Sequence, residues 1–394
     1  MRVNYAGFQA TNHSPAAELL GGLRQVSHTH ARPHLLGYTP VARMNPYQAL
    51  TYRRFAEEGI AAAPILKPAD FRDLRHIAPL ASRTTLHLHW NSWIIGQQAD
   101  EEAAQRVGRG MIGRMEALRA AGINLMWTVH NVFPHDARFP DLEVELQNSI
   151  AESSNIIHLM SPGTIEDIEP YVNIDKRKVI CSPHPSYLGA YPDVTSRAEA
   201  RLVLGIDPDE YVFVMFGAIK AYKGLGRLLD AFHEATKRAS EQGQRLRLVV
   251  AGGADQDEEC REFIARARVH PQVLIETNKI PADKIQYFLR SADCGLVPYE
   301  RMLNSGAALL YGTFDLPIVS SDRATIRGIF GDDIVEYMKT PDIEGLTAAL
   351  LSATERFPSG SSPVDSIRRV MSSYDPDRVS LDFARQITEK VLQQ

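Results

Sequence analysis

The stretch YVFVMFGAIKAYKGLGRLLDAFHEATKRAS, residues 211–240, decides the fold. Its first six residues are apolar and β-prone without alternation, the pattern of a strand buried on both faces. Gly217 ends the run and a loop carrying Lys220 and Lys223 follows. From residue 226 apolar residues recur every three or four positions, as on one face of a helix. A buried strand that feeds a helix through a glycine turn is half of a βαβ unit. The rhythm continues with a strand at LRLVVAGG (246–253), a helix over about 258–269, VLIET (273–277), a helix over about 282–291, CGLVPY (294–299), a helix from near Ser305, and LPIVSSD (316–322) as the last clear strand. A doubly wound α/β domain is therefore expected over 197–375.

The same rhythm runs upstream, where HLLGYTP (34–40), AAAPIL (61–66), TTLHLHW (84–90), INLMWTV (123–129) and NIIHLM (155–160) read as strands. PYQALTYRRFAEEG (46–59) and the stretch 98–121 read as helices. This predicts a second Rossmann-like domain over 1–182, with the placement of residues 1–33 open between an extra strand and helix and an arm outside the sheet. SPHPSYLGAYPDVTS, rich in Pro, Gly, Ser and Tyr, has no core-like period and reads as the crossing, bounded at 183–196. The terminal helix, 376–394, either stays with the second domain or packs back on the first.

A chain of 394 residues with 44% hydrophobic and 23% charged side chains suits two soluble domains. The formal charge of -5, from 43 basic and 48 acidic residues, offers nucleic acid no general attraction. Cys181, Cys260 and Cys294 are too scattered for a disulfide framework or a thiolate metal site, and a reducing compartment fits them. With no spanning apolar run and no secretory-signal pattern, the expected location is cytoplasmic, a peripheral contact at the inner face of the cell membrane staying open.

Ligands of open α/β sheets sit beyond the carboxyl ends of the strands, so the polar residues there are the candidates. In the second half these are Gly217, Lys220 and Lys223, either phosphate ligands or solvated lysines. Asn304, Ser305 and Gly306 open a helix, as an ordinary cap or as an anion site made of free N–H groups. Glu300 receives a sugar or ribose hydroxyl or is a surface acid, and Ser320, Ser321 and Asp322 contact a ligand or form a turn. In the first half His87 and His89 share one face of a strand, with Trp90, Asn91 and Trp93 at its exit. Two histidines without a third ligand or a nearby cysteine make a poor zinc site. WTVHNVFPHD then places His130, Asn131, His135 and Asp136 at the next strand exit, either to handle a hydroxyl proton or to cap the strand.

FGAIKAYKGLGRLLDAFHEA, LRLVVAGG and SADCGLVPYERMLNSGAALLYGTFDLPIVSSD, in that order, resemble the nucleotide-sugar domain of group 1, or family 4-like, glycosyltransferases. NPYQALTYRRFAEEGI, LHLHWNSW and WTVHNVFPHD resemble their acceptor domain, especially in bacterial enzymes of exopolysaccharide and surface-glycan synthesis. The resemblance implies a GT-B fold, two doubly wound domains facing across a cleft, and a nucleotide-diphospho-sugar donor, with UDP and GDP as the expected bases. It sets Lys220, Lys223, Ser305 and Gly306 against the diphosphate beside Gly217, Glu300 and Asn304, and the base near Ile280. His130, Asp136 and Lys223 are the expected catalytic groups, and His89, Asn91, Trp93, Asn131 and His135 the expected acceptor contacts. Transfer to a saccharide or lipid-linked saccharide is expected, retaining and without a metal or other cofactor. The acidic pair that many retaining members carry falls here on Met302 and Leu310. A sugar-nucleotide-binding protein of this fold without transferase activity and an epimerase are the alternatives; the absence of GxGxxG after the first strand speaks against an oxidoreductase.

Overall fold

The computed structural model describes residues 15–42, 45–131, 138–299 and 305–393. The chain divides into two units: one runs to Pro185 and takes up the chain again from Tyr374, and the other is Ser186–Ser373. Each is built on a six-stranded sheet whose strand pairs are all parallel.

In the first unit the strands are β1 (His34–Thr39), β2 (Ile60–Pro64), β3 (Arg83–Leu88), β4 (Asn124–Thr128), β5 (Ile156–Leu159) and β6 (Val179–Cys181), in the order β2-β1-β3-β4-β5-β6. The helix Pro15–Ser27, left open by sequence, buries Leu19, Leu23 and Val26. The terminal helix Pro376–Leu392 lays Phe383, Ala384, Ile387 and Val391 into a core with Leu36, Tyr38, Tyr52, Phe55 and Met126.

The helix expected over 46–59 is broken into Tyr47–Thr51 and a 3-10 turn, Phe55–Glu58. The physical reason lies far along the chain. Ser380 Oγ accepts from Arg54 N–H (2.8 Å) and donates to the Thr51 carbonyl (2.7 Å), so groups that would extend the helix are spent on the terminal helix. Gly59, at φ 71°, then turns the chain into β2.

The second unit contains β7 (Tyr211–Phe216), β8 (Leu246–Ala251), β9 (Val273–Glu276), β10 (Cys294–Val297), β11 (Ile318–Ser321) and β12 (Val335–Met338), ordered β12-β11-β10-β7-β8-β9. All six residues of β7 are buried. The helix Leu225–Glu241 covers the sheet with Leu225, Leu228, Leu229, Phe232, Ala235 and Ala239, the three-to-four spacing of the opening stretch. Each such Leu or Phe contributes about 1.5–3 kcal/mol by leaving water.

Two strands escape the sequence reading. β6 and β12 are edge strands of three and four residues, too short to show a period, so LPIVSSD is not the last strand. Among the described residues no helix is long and apolar enough to cross a membrane.

Candidate functional site

In the second unit the chain leaves β7 toward β8 on one side and later returns to place β10 on the other, so the loops after β7 and β10 part at the switch point of the sheet. The pairing of β7 with β10 covers only Phe213 and Val214 against Cys294 and Gly295. Beyond it Tyr311 bridges the gap: its hydroxyl accepts from the Phe216 N–H at 2.8 Å and donates to the Leu296 carbonyl at 3.5 Å. Gly295 makes the room, since a Cβ there would stand 2.4 Å from the Tyr311 ring.

On one side of this crevice the β7 exit turns at Gly217 (φ 106°) against the β8 exit, where a Cβ on Gly252 would meet the Gly217 carbonyl oxygen at 2.2 Å. Ile219 N–H bonds Gly253 O at 2.9 Å, and Ile280 is half-buried in the loop after β9, next to Lys279, whose backbone lies against Gly253. Lys223 folds back so that its Nζ lies beside Gly217 and 5.1 Å from the centroid of Tyr299 at the β10 exit. It is only 4% exposed and pairs with no carboxylate among the described residues. Burial, reinforced by Lys220, pushes its pKa down to about 8. Lys220 is more exposed and forms an ion pair with Asp255 at 3.1 Å.

On the other side Ser305 caps the helix Gly306–Thr313 by accepting from Ala308 N–H at 3.1 Å. The N–H groups of Gly306 and Ala307 have no acceptor among the described residues. Leu310, where the resembled enzymes carry an acid, is buried. Glu300, Met302 and Asn304 lie outside the described residues. Ser320, Ser321 and Asp322 are occupied locally: Ser320 donates to the Val297 carbonyl at 3.2 Å, Ser321 contacts Met338 sulfur and Asp322 pairs with Arg327.

The first unit gathers a second polar group at the exits of β3, β4 and β5. Its members form one chain of contacts: Ser182 O to His158 Nε2 (2.8 Å), His158 Nδ1 to Thr128 Oγ1 (2.9 Å), Thr128 Oγ1 to His87 Nε2 (2.6 Å), His87 Nδ1 to Tyr52 OH (2.7 Å), Tyr52 OH to His89 Nε2 (2.5 Å) and His89 Nδ1 to His130 Nε2 (3.1 Å). His130 is half-buried and stacks on Trp90 at 4.2 Å, with Tyr47 edge-on at 5.2 Å. Burial lowers the pKa of all four histidines: to about 4 for His158, and well below the ordinary value for His87, His89 and His130.

His89, expected to meet an acceptor, is thus fully buried with both ring nitrogens engaged. Asn91 donates to the buried Glu143 at 3.2 Å, Trp93 and Asn131 are half-buried, and His135 and Asp136 lie outside the described residues. Tyr52, Thr128, His158 and Tyr311 were missed; only His158, a lone histidine in an apolar strand, left a signal. Among the described residues no group of three or more His, Cys, Asp or Glu side chains is placed to hold a metal ion.

Comparison with known proteins agrees with this architecture. Residues 210–356 match the family described as glycosyl transferases group 1. No curated protein matches by sequence. Among solved structures, Anabaena Alr3699/HepE in complex with UDP-glucose is similar with a TM-score of 0.68 at 10% identity, over 90% of this chain and 99% of that one. Sucrose-phosphate synthase from Thermosynechococcus elongatus reaches 0.67 at 12%, over 92% and 100%. A glycosyltransferase from Rickettsia africae reaches 0.65 at 10%, over 93% and 100%. At such identities the likeness is one of fold, and the family match speaks through the second unit. Residues 210–356 are thus similar to the group 1 glycosyltransferases, and the chain shares the GT-B fold of these solved structures.

Proposed function

We propose that the second unit holds a UDP- or GDP-sugar by its diphosphate and that the enzyme transfers the sugar, with retention and without a metal, to a hydroxyl of a saccharide or lipid-linked saccharide. The observations that carry this are Lys223, a buried ammonium with no carboxylate partner among the described residues, by Gly217 and the Tyr299 ring, and a helix start at the same switch point whose Gly306 and Ala307 N–H groups have no acceptor among the described residues. An anion resolves both deficits at once.

The leaving diphosphate gains negative charge as the bond to the anomeric carbon breaks. Fixed N–H dipoles and the lysine stabilise that charge without reorganising. Lys220 adds to the field while restrained by Asp255. As the sequence resemblance implies, His130 orients the donor sugar, and the departing phosphate assists removal of the acceptor proton. The three free thiols suit a cytoplasmic setting.

Calorimetric titration with UDP and GDP, then with their sugar nucleotides in EDTA, tests the reading. Saturable binding of one nucleotide family and turnover in EDTA are expected. No binding of either family would sink the donor assignment, and turnover only after adding a divalent ion would sink the metal-free mechanism.

A further inference from the structure

The chain of contacts from Ser182 to His130 begins at a group that can only accept. A backbone carbonyl has no proton, so at 2.8 Å His158 must donate from Nε2. His158 is neutral because it is buried, so its Nδ1 carries a lone pair and the Thr128 hydroxyl donates to it. That hydroxyl has one proton, now spent, so its oxygen accepts from His87 Nε2–H. The same reasoning repeats: neutral His87 accepts at Nδ1 from Tyr52 OH, the Tyr52 oxygen accepts from His89 Nε2–H, and neutral His89 accepts at Nδ1 from His130 Nε2–H. Every link has one allowed direction.

We infer that these five groups, His158, Thr128, His87, Tyr52 and His89, form a tautomer lock that fixes His130 with its proton on Nε2 and its lone pair on Nδ1. Whatever His130 meets on Nδ1, it meets as a hydrogen-bond acceptor. Resting on the role proposed for His130, the lock makes it select a hydroxyl of the donor sugar or the acceptor, and reject a bare phosphate oxygen, which has no proton to give. The locking groups are positioning residues. Phe383, with its ring 4.1 Å from that of His158, and Trp90 on His130 cover the two ends of the chain.

Protein labelled with 15N in histidine reports each imidazole's tautomer by NMR, with His130→Gln assigning the signal. Wild type is expected to show His130 as neutral Nε2–H. Tyr52→Phe removes the only hydroxyl between His87 and His89, so His130 is expected to shift to a mixture containing the Nδ1–H form, while donor KM stays unchanged and kcat falls about tenfold, the worth of one hydrogen bond. Thr128→Val cuts the chain earlier and serves if Tyr52→Phe does not fold. His130 found as Nδ1–H or as imidazolium in wild type, or with an unchanged tautomer in both variants, overturns the lock. A wild-type protein that shows the stated tautomer and its shift in Tyr52→Phe, but uses no sugar nucleotide, supports the lock and defeats the functional reading it was joined to.

Discussion

A lysine ammonium taken out of water with no carboxylate beside it destabilises the fold that holds it. Among the described residues Lys223 is such a group, its pKa pushed from 10.5 down to about 8 by burial and then by Lys220. Between about pH 8 and 10.5 the unfolded chain holds a proton that the folded chain has released, so stability rises with pH through that window and is lost again as pH falls to about 8. Lys223→Met is therefore expected to stabilise the ligand-free protein at pH 7 by about 1–3 kcal/mol while raising donor KM at least about tenfold. Thermal melts and donor kinetics check both halves, and a less stable variant with normal KM would remove Lys223 from the phosphate site. The sequence shows two equivalent lysines in this loop; only folding pairs Lys220 with Asp255 and buries Lys223 with no carboxylate beside it among the described residues.

Between elements, the switch point is held open by one pair of residues from β10 and the helix that follows it. Tyr311 satisfies an N–H on β7 and Gly295 leaves space for its ring. Tyr311→Phe should cost about 1–3 kcal/mol by leaving the buried Phe216 N–H without an acceptor. Gly295→Ala should cost at least as much by driving the ring from its seat, and should weaken nucleotide binding because the helix that begins at Gly306 moves with it. Denaturant unfolding of both variants, with UDP and GDP titration, decides; two variants as stable as wild type would show that the strands part for another reason. The buried strands and their covering helices were legible in periodicity. This pair was not, because a glycine in a strand and a tyrosine in a helix show their relation only when packed.

At the scale of the molecule, the last helix completes the first unit. Phe383 packs against Phe55 (5.7 Å between centroids) and His158, Ser380 bonds the turn after Tyr47–Thr51, and Arg385 pairs with Glu58. Deleting the chain from Tyr374 is expected to unfold the first unit while Ser186–Ser373 keeps its structure; limited proteolysis followed by mass spectrometry should recover a resistant fragment close to that range. Equal resistance of the first unit in full-length and shortened protein would show that its core does not need the helix. The sequence by itself determined the two parallel sheets, the helix that covers β7 and the polar strand exits, because buried strands and amphipathic helices carry their period locally. Only the tertiary structure decided where the helix after residue 46 breaks, which of the two loop lysines is buried, and which groups stand in line from Ser182 to His130. Each of those depends on a partner far along the chain, and local spacing cannot encode a contact that exists only after the sheet has brought both sides together.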